Sequence, residues 1–122
     1  MGAPVKQPLL LASEILAGGY DQAENIIHKS DQELVVITFS VRRSNNADFT
    51  GAMDIANIPL GLRPLIVACT ALPYSTTASS GSSMPVPSGS VSVYALPGGL
   101  LRMRTTESSV KCIFGSLMYY TN

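Results

Sequence analysis

The 122 residues include one histidine, two cysteines, and eight basic against eight acidic side chains. Each shortage excludes a class of chemistry. With His28 as the sole imidazole and no Gly-x-Ser-x-Gly elbow, a Ser-His-acid triad has no support. One His, two distant Cys and scattered acids match no zinc spacing, and residues 48–54 lack the alternating oxygen ligands of a calcium loop. Asp48 and Asp54 are the available carboxylate pair, but spacing alone does not bring them within the about 5–10 Å that acid-base work requires. Gly18-Gly19 and Gly98-Gly99 read as turn pairs, outside any strand–loop–helix phosphate cradle. The expectation is no enzyme, no metal and no cofactor. A net charge of zero, with no basic cluster beside a stacking platform, leaves nucleic acid without a landing surface. The early apolar run, 9–12, is too short for a signal-peptide core. Residues 65–101 carry no charge, yet Pro, Gly and Ser interrupt them too often for a span of about 20 apolar residues, so no membrane insertion is expected. Lys6 stands where a myristoylation start needs Ser or Thr. Cys69 and Cys112 cannot make a disulfide framework. The favoured reading is two buried thiols, and a bridge would need neighbouring strands with Cβ atoms about 4 Å apart.

The chain is nonetheless rich in apolar residues, at 46%, with 13% charged. That balance argues for one folded domain, residues 1–122, rather than disorder. It also leaves little charge to keep a small isolated domain soluble, which points to an oligomer. The dominant pattern has period two. Residues 34–41 place Val35, Ile37, Phe39 and Val41 on one face of a strand. Residues 25–29 form a shorter strand, joined to it by a turn at 30–33. A short extended piece is expected at 54–58 and a rigid turn between Pro59 and Pro64. A central strand is expected at 65–70, apolar on both parities. Residues 72–90, with seven serines from Ser75 to Ser90, read as a long loop. Strands follow at 91–95 and 100–105, linked by a type II turn with Pro97 and Gly98 at its centre. A turn at 106–109 precedes a last strand, 110–120, bent at Gly115. Only 9–17 fits a helical stripe, and it fits an extended one equally well. The fold class is all-β, a small antiparallel barrel or sandwich.

A binding module remains. The polar stretch 42–49 offers Arg42, Asn45, Asn46 and Asp48, planar donors and acceptors suited to sugar hydroxyls or phosphate. Tyr74, heading the uncharged loop, can supply an aromatic edge, and His28 joins the set as the sole imidazole. These six residues are the candidate site, with the 72–90 loop as the alternative location. An ordinary solvated loop explains 42–49 as well. Tyr20 offers a further stacking face, whereas Tyr94 is expected to pack in the core. One of Tyr119 and Tyr120 must point outward by alternation.

The segment Ile55-Ala56-Asn57-Ile58-Pro59-Leu60-Gly61-Leu62-Arg63-Pro64 ends in a Pro-x-Gly-x-Arg-Pro pattern, Gly89-Ser90-Val91-Ser92-Val93 follows as Gly-x-Val-x-Val, Gly98-Gly99-Leu100-Leu101 as a turn and a strand with leucine, and Gly115 to Asn122 as a Gly-Ser-x-x-Tyr-Tyr closing strand. This order over residues 34–122 resembles the receptor-binding head domains of siphophage tail-tip and baseplate proteins of the lactococcal-phage type. The resemblance implies a homotrimer of β-barrels in the virion. It would bind a host cell-surface saccharide, without metal or catalysis, and attach to other phage tail or baseplate proteins. Arg63 is then expected to anchor its turn rather than touch a ligand. The alternative is a structural trimerisation or capping module that binds no sugar.

Overall fold

The computed structural model describes residues 3–18, 25–77 and 86–121. It is all-β, an antiparallel and nearly closed barrel, with a 3₁₀ turn at Ser44–Asn46. The strands are β1 (Val5–Pro8), β2 (Leu10–Leu11), β3 (Ile15–Ala17), β4 (Ile26–Lys29), β5 (Leu34–Arg43), β6 (Phe49–Asn57), β7 (Ala68–Ser75), β8 (Gly89–Ala95), β9 (Leu100–Val110) and β10 (Cys112–Tyr120). Their order is β1-β4-β5-β10-β7-β8-β9-β6-β2, with β3 also on β5. β1 and β2 are consecutive pieces of one segment. It pairs with β4 through Val5–Pro8, then crosses at Leu9 to pair with β6 through Leu10–Leu11. Proline lacks an N–H and suits the end of a ladder, so Pro8 stands where the partner changes. This segment draws the two ends of the sheet together.

Alternation fills the interior. Val35, Ile37, Phe39 and Val41 of β5 are buried together with Val91, Val93 and Ala95 of β8 and Leu101 and Met103 of β9. The β4–β5 hairpin forms as the sequence suggests, with Ile27 opposite Ile37. Gly115 takes φ +135° inside β10, where the side chain of Leu72 closes over it.

Several boundaries differ from the sequence reading. The strand expected at 65–70 begins at Ala68 and runs on to Ser75, while Leu65, Ile66 and Val67 form an exposed loop. Strand propensity at 65–67 goes unused because the partner strand β8 ends at Ala95, opposite Ala68, and the chain turns away at 96–99. Of the long loop expected at 72–90, residues 72–75 belong to β7 and 89–90 to β8, while 78–85 lie outside the described residues, as do Gly19 and Tyr20. The extended piece at 54–58 is the end of a nine-residue strand. At 97–99 the positive φ, +101°, falls on Gly99 and not on Gly98. Gly99 N–H bonds Leu96 O, which gives a turn followed by a left-handed glycine bulge instead of a type II turn. The supposed turn at 106–109 is a wide bulge in β9: these four residues stand between the Thr105–Gly51 and Val110–Phe49 pairs, opposite Thr50 alone. Cys112 is buried but Cys69 is exposed, and neither forms a disulfide. Cys112 pairs with Ser75, so Cys69 sits six residues further along β7, about 20 Å away.

Candidate functional site

The residues expected to bind divide into three places. Arg42, Asn45, Asn46 and Asp48 do share the corner between β5 and β6. Arg42 Nη1 donates to Asn46 Oδ1 at 3.4 Å. Lys111, the single residue between β9 and β10, pairs with Asp48 Oδ1 at 2.8 Å and donates to Asn46 O at 2.7 Å. Arg43 donates to Asp48 O at 2.8 Å and pairs with Glu14 at 3.3 Å. Asn45 and Asn46 have φ of +60° and +53°. Asparagine tolerates this left-handed region better than other residues with a Cβ, so the turn itself accounts for both. The corner's contacts are thus mostly internal, although Arg43 Nε and Asp48 Oδ1 are buried without a hydrogen-bond partner and the Lys111–Asp48 contact is an ion pair only.

Tyr74 and His28 do not join it. Tyr74 is buried, and its ring covers Gly89, so it presents no aromatic edge to solvent. Its parity matches Leu72, which places it on the core side of β7. His28 is exposed on β4 opposite Lys6 and Val36. Arg42 lies six residues beyond Val36 on β5, about 20 Å away. Tyr94 is also placed differently from expectation. It sits half-buried on the outer face, in a row with Cys69 and Arg102.

The barrel wall opens at two seams that the sequence reading did not anticipate. The first lies between β8 and β9. Their ladder ends at the Ser92–Arg104 pair, after which β8 follows β7 and β9 swings to β6. The gap is a cleft of about 270 Å³ lined by Ser90, Ser92, Arg104, Thr106 and Glu107, over a floor of Val91 and Thr105. The bulge at 106–109 forms one lip. Thr105 Oγ1 holds it by accepting from Glu107 N–H at 2.9 Å. Arg104 and Glu107 are exposed, and among the described residues neither side chain has an ion-pair partner. Beside them Arg102 is already paired to Asp54 at 2.8 Å. The cleft therefore offers a free guanidinium, a free carboxylate and three hydroxyls in one depression, with Tyr94 on the same outer face. The signal available in sequence was the polar run Thr105-Thr106-Glu107-Ser108-Ser109 beside Arg104, which reads as a turn until its strand pairing is known.

The second seam lies between β7 and β10, which pair only at Ser75–Cys112 and Tyr74–Ile113. Below that point a groove of about 450 Å³ opens, lined by Pro64, Leu65, Ile66, Val67, Ala68, Tyr119 and Tyr120. Tyr119 points inward and donates its hydroxyl to Leu62 O at 2.5 Å. Burial pushes its phenol well above the usual tyrosine range. Tyr120 points out, as alternation requires.

Among the described residues there is no cluster of three His, Cys, Asp or Glu able to hold a metal, and no helix long and apolar enough to cross a membrane. No family model matches the sequence, and no curated protein is significantly similar to it.

Proposed function

We propose that this chain is a non-catalytic receptor-binding head of a phage tail tip or baseplate, acting in the virion as a homotrimer and recognising a host cell-wall saccharide. The observation that carries the reading is the β8–β9 cleft. A sugar presents hydroxyls that need planar donors and acceptors, and Arg104, Glu107, Ser90, Ser92 and Thr106 supply both kinds around one depression. A bulge at the rim of a barrel is a common device for re-aiming side chains at a ligand, and here it carries Glu107. The motif order over residues 34–122 supports the phage assignment. The 42–48 corner takes a structural role in this reading, because Lys111 and Arg43 already engage its acceptors.

Calorimetry of the purified protein with isolated bacterial cell-wall polysaccharide tests the proposal, together with competition against phage adsorption. Arg104→Ala is expected to weaken binding by about 1–3 kcal/mol, the worth of a hydrogen bond to a charged group and of the partner it leaves unpaired. Arg42→Ala should leave binding unchanged. Binding that survives Arg104→Ala and Glu107→Gln together would move the site away from the cleft. Absence of any polysaccharide binding, with adsorption unblocked, would favour the structural trimerisation module.

A further inference from the structure

The outer surface of the barrel is sorted by polarity. The strands β8 and β9 carry the cleft and its charges. Two to three strands around the wall, the outer side of β10 and the loop before β7 carry none. Exposed there are Leu65 at 67%, Ile66 at 79%, Val67 at 52%, Met118 at 60% and Tyr120 at 63%. Met118 and Tyr120 share a face of β10, and Tyr120 shares a groove with residues 65–67, so the five form one surface. Across the ladder, Met118 lies opposite the half-buried Val36 and Tyr120 opposite Leu34, which extend it onto β5.

We infer that this face is where copies of the chain meet. The inference goes beyond the recognition role, since it holds with or without a saccharide, and takes from it only the number of copies. Area is the first argument. With large side chains offering about 200 Å² each when fully exposed, these five leave on the order of 600 Å² of apolar surface in water. That equals the largest patch ordinary for a monomer, about 300–600 Å², and with Val36 and Leu34 it approaches the about 800 Å² per partner of a stable interface. Composition is the second. An aromatic and a methionine without any charged residue is the make-up of an interface core, not of a solvated surface. Shape is the third. The groove of about 450 Å³ adjoins its own protruding side chains, Leu65 and Ile66. A cavity left by one deleted leucine is about 150 Å³, so the groove has room for such side chains from a neighbour. A surface holding both knob and hole is self-complementary, so two copies can meet through it.

Sedimentation velocity and light scattering of the full chain at micromolar concentration decide the matter. The wild-type protein is expected at a multiple of 12.9 kDa. Ile66→Asp, a change on an exposed loop, should weaken association at least hundredfold and yield a monomer with an unchanged far-UV spectrum. Arg104→Ala should leave assembly intact. A wild-type monomer overturns the inference and the homotrimer reading together. An oligomer that persists in both Ile66→Asp and Tyr120→Asp overturns the inference alone. A dimer abolished by Ile66→Asp upholds the face and overturns the number three.

Discussion

At the scale of single residues, the Pro59–Pro64 turn is held by a contact between distant parts of the chain. Arg63 Nε donates to Ile58 O at 2.9 Å, while Ile58 N–H donates to Gly99 O at 2.7 Å. The guanidinium lies over Gly99, where a Cβ would come within 2.5 Å of it. Gly99 is also left-handed, so two independent reasons require glycine there. Gly99→Ala is expected to lower stability by about 2 kcal/mol in chemical denaturation, from backbone strain plus displacement of Arg63. Gly98→Ala, one position away, meets nothing within 4 Å and has no positive φ. It should be neutral, or stabilise by about 0.4–1 kcal/mol through the unfolded chain. A second residue-scale effect depends on pH. The folded state holds the Tyr119 phenol protonated at pH values where the unfolded chain, with a pKa of about 10, has begun to lose that proton. Its contribution is complete below about pH 10. Above it, stability falls by about 1.4 kcal/mol per pH unit, because the unfolded chain releases a proton that the folded chain keeps. Tyr119→Phe should lose about 1–2 kcal/mol at neutral pH, having left Leu62 O unpaired, and the gap to wild type should narrow above pH 10.

At the scale of elements, the N-terminal segment protects the ends of the sheet. β1 covers the outer edge of β4, and β2 covers part of β6. Removing residues 1–11 would leave both edges with unpaired N–H and C=O groups, which template pairing with other chains. Such a variant should keep a cooperative transition but aggregate with rising thioflavin fluorescence, and unchanged solubility would count against an edge-covering role. Strands with strict alternation, β5 and β8, were legible from sequence because one face of each is uniformly apolar. The 65–67 segment was not. Its residues have high strand propensity, yet β8 pairs with β7 only from Ala68 onward. The 106–109 bulge was hidden for a related reason: a bulge is defined by the partner strand, and Thr50 lies more than fifty positions away. The site followed the same logic. Polar residues clustered in sequence at 42–48 mostly contact one another, Glu14 and Lys111, whereas the cleft gathers Ser90 and Ser92 with Arg104 and Glu107 only after β8 and β9 part.

At the scale of the whole molecule, the barrel depends on its last strand. β10 pairs with β5 from Tyr120–Leu34 to Cys112–Arg42, joining the first third of the chain to its final residues. It also buries Ile113, Leu117 and Tyr119 against the core. This connection cannot form from local contacts, and its loop-closure entropy must be met before the pairing rewards it. Folding should therefore fall in the millisecond-to-second range typical of β-barrels, with a single phase in stopped-flow refolding. Truncation should be asymmetric as well. A fragment ending at Lys111 leaves β5 without its longest ladder and opens the core between β5 and β7, so it should show no cooperative unfolding transition. A fragment starting at Ala12 loses the edge-covering segment and one core side chain, Leu9, and should still unfold cooperatively. Folding in microseconds, or a cooperative transition in the fragment lacking residues 112–122, would show that β10 docks onto a core already formed without it. Its central place in the sheet argues the reverse: β10 is the strand whose arrival makes the barrel.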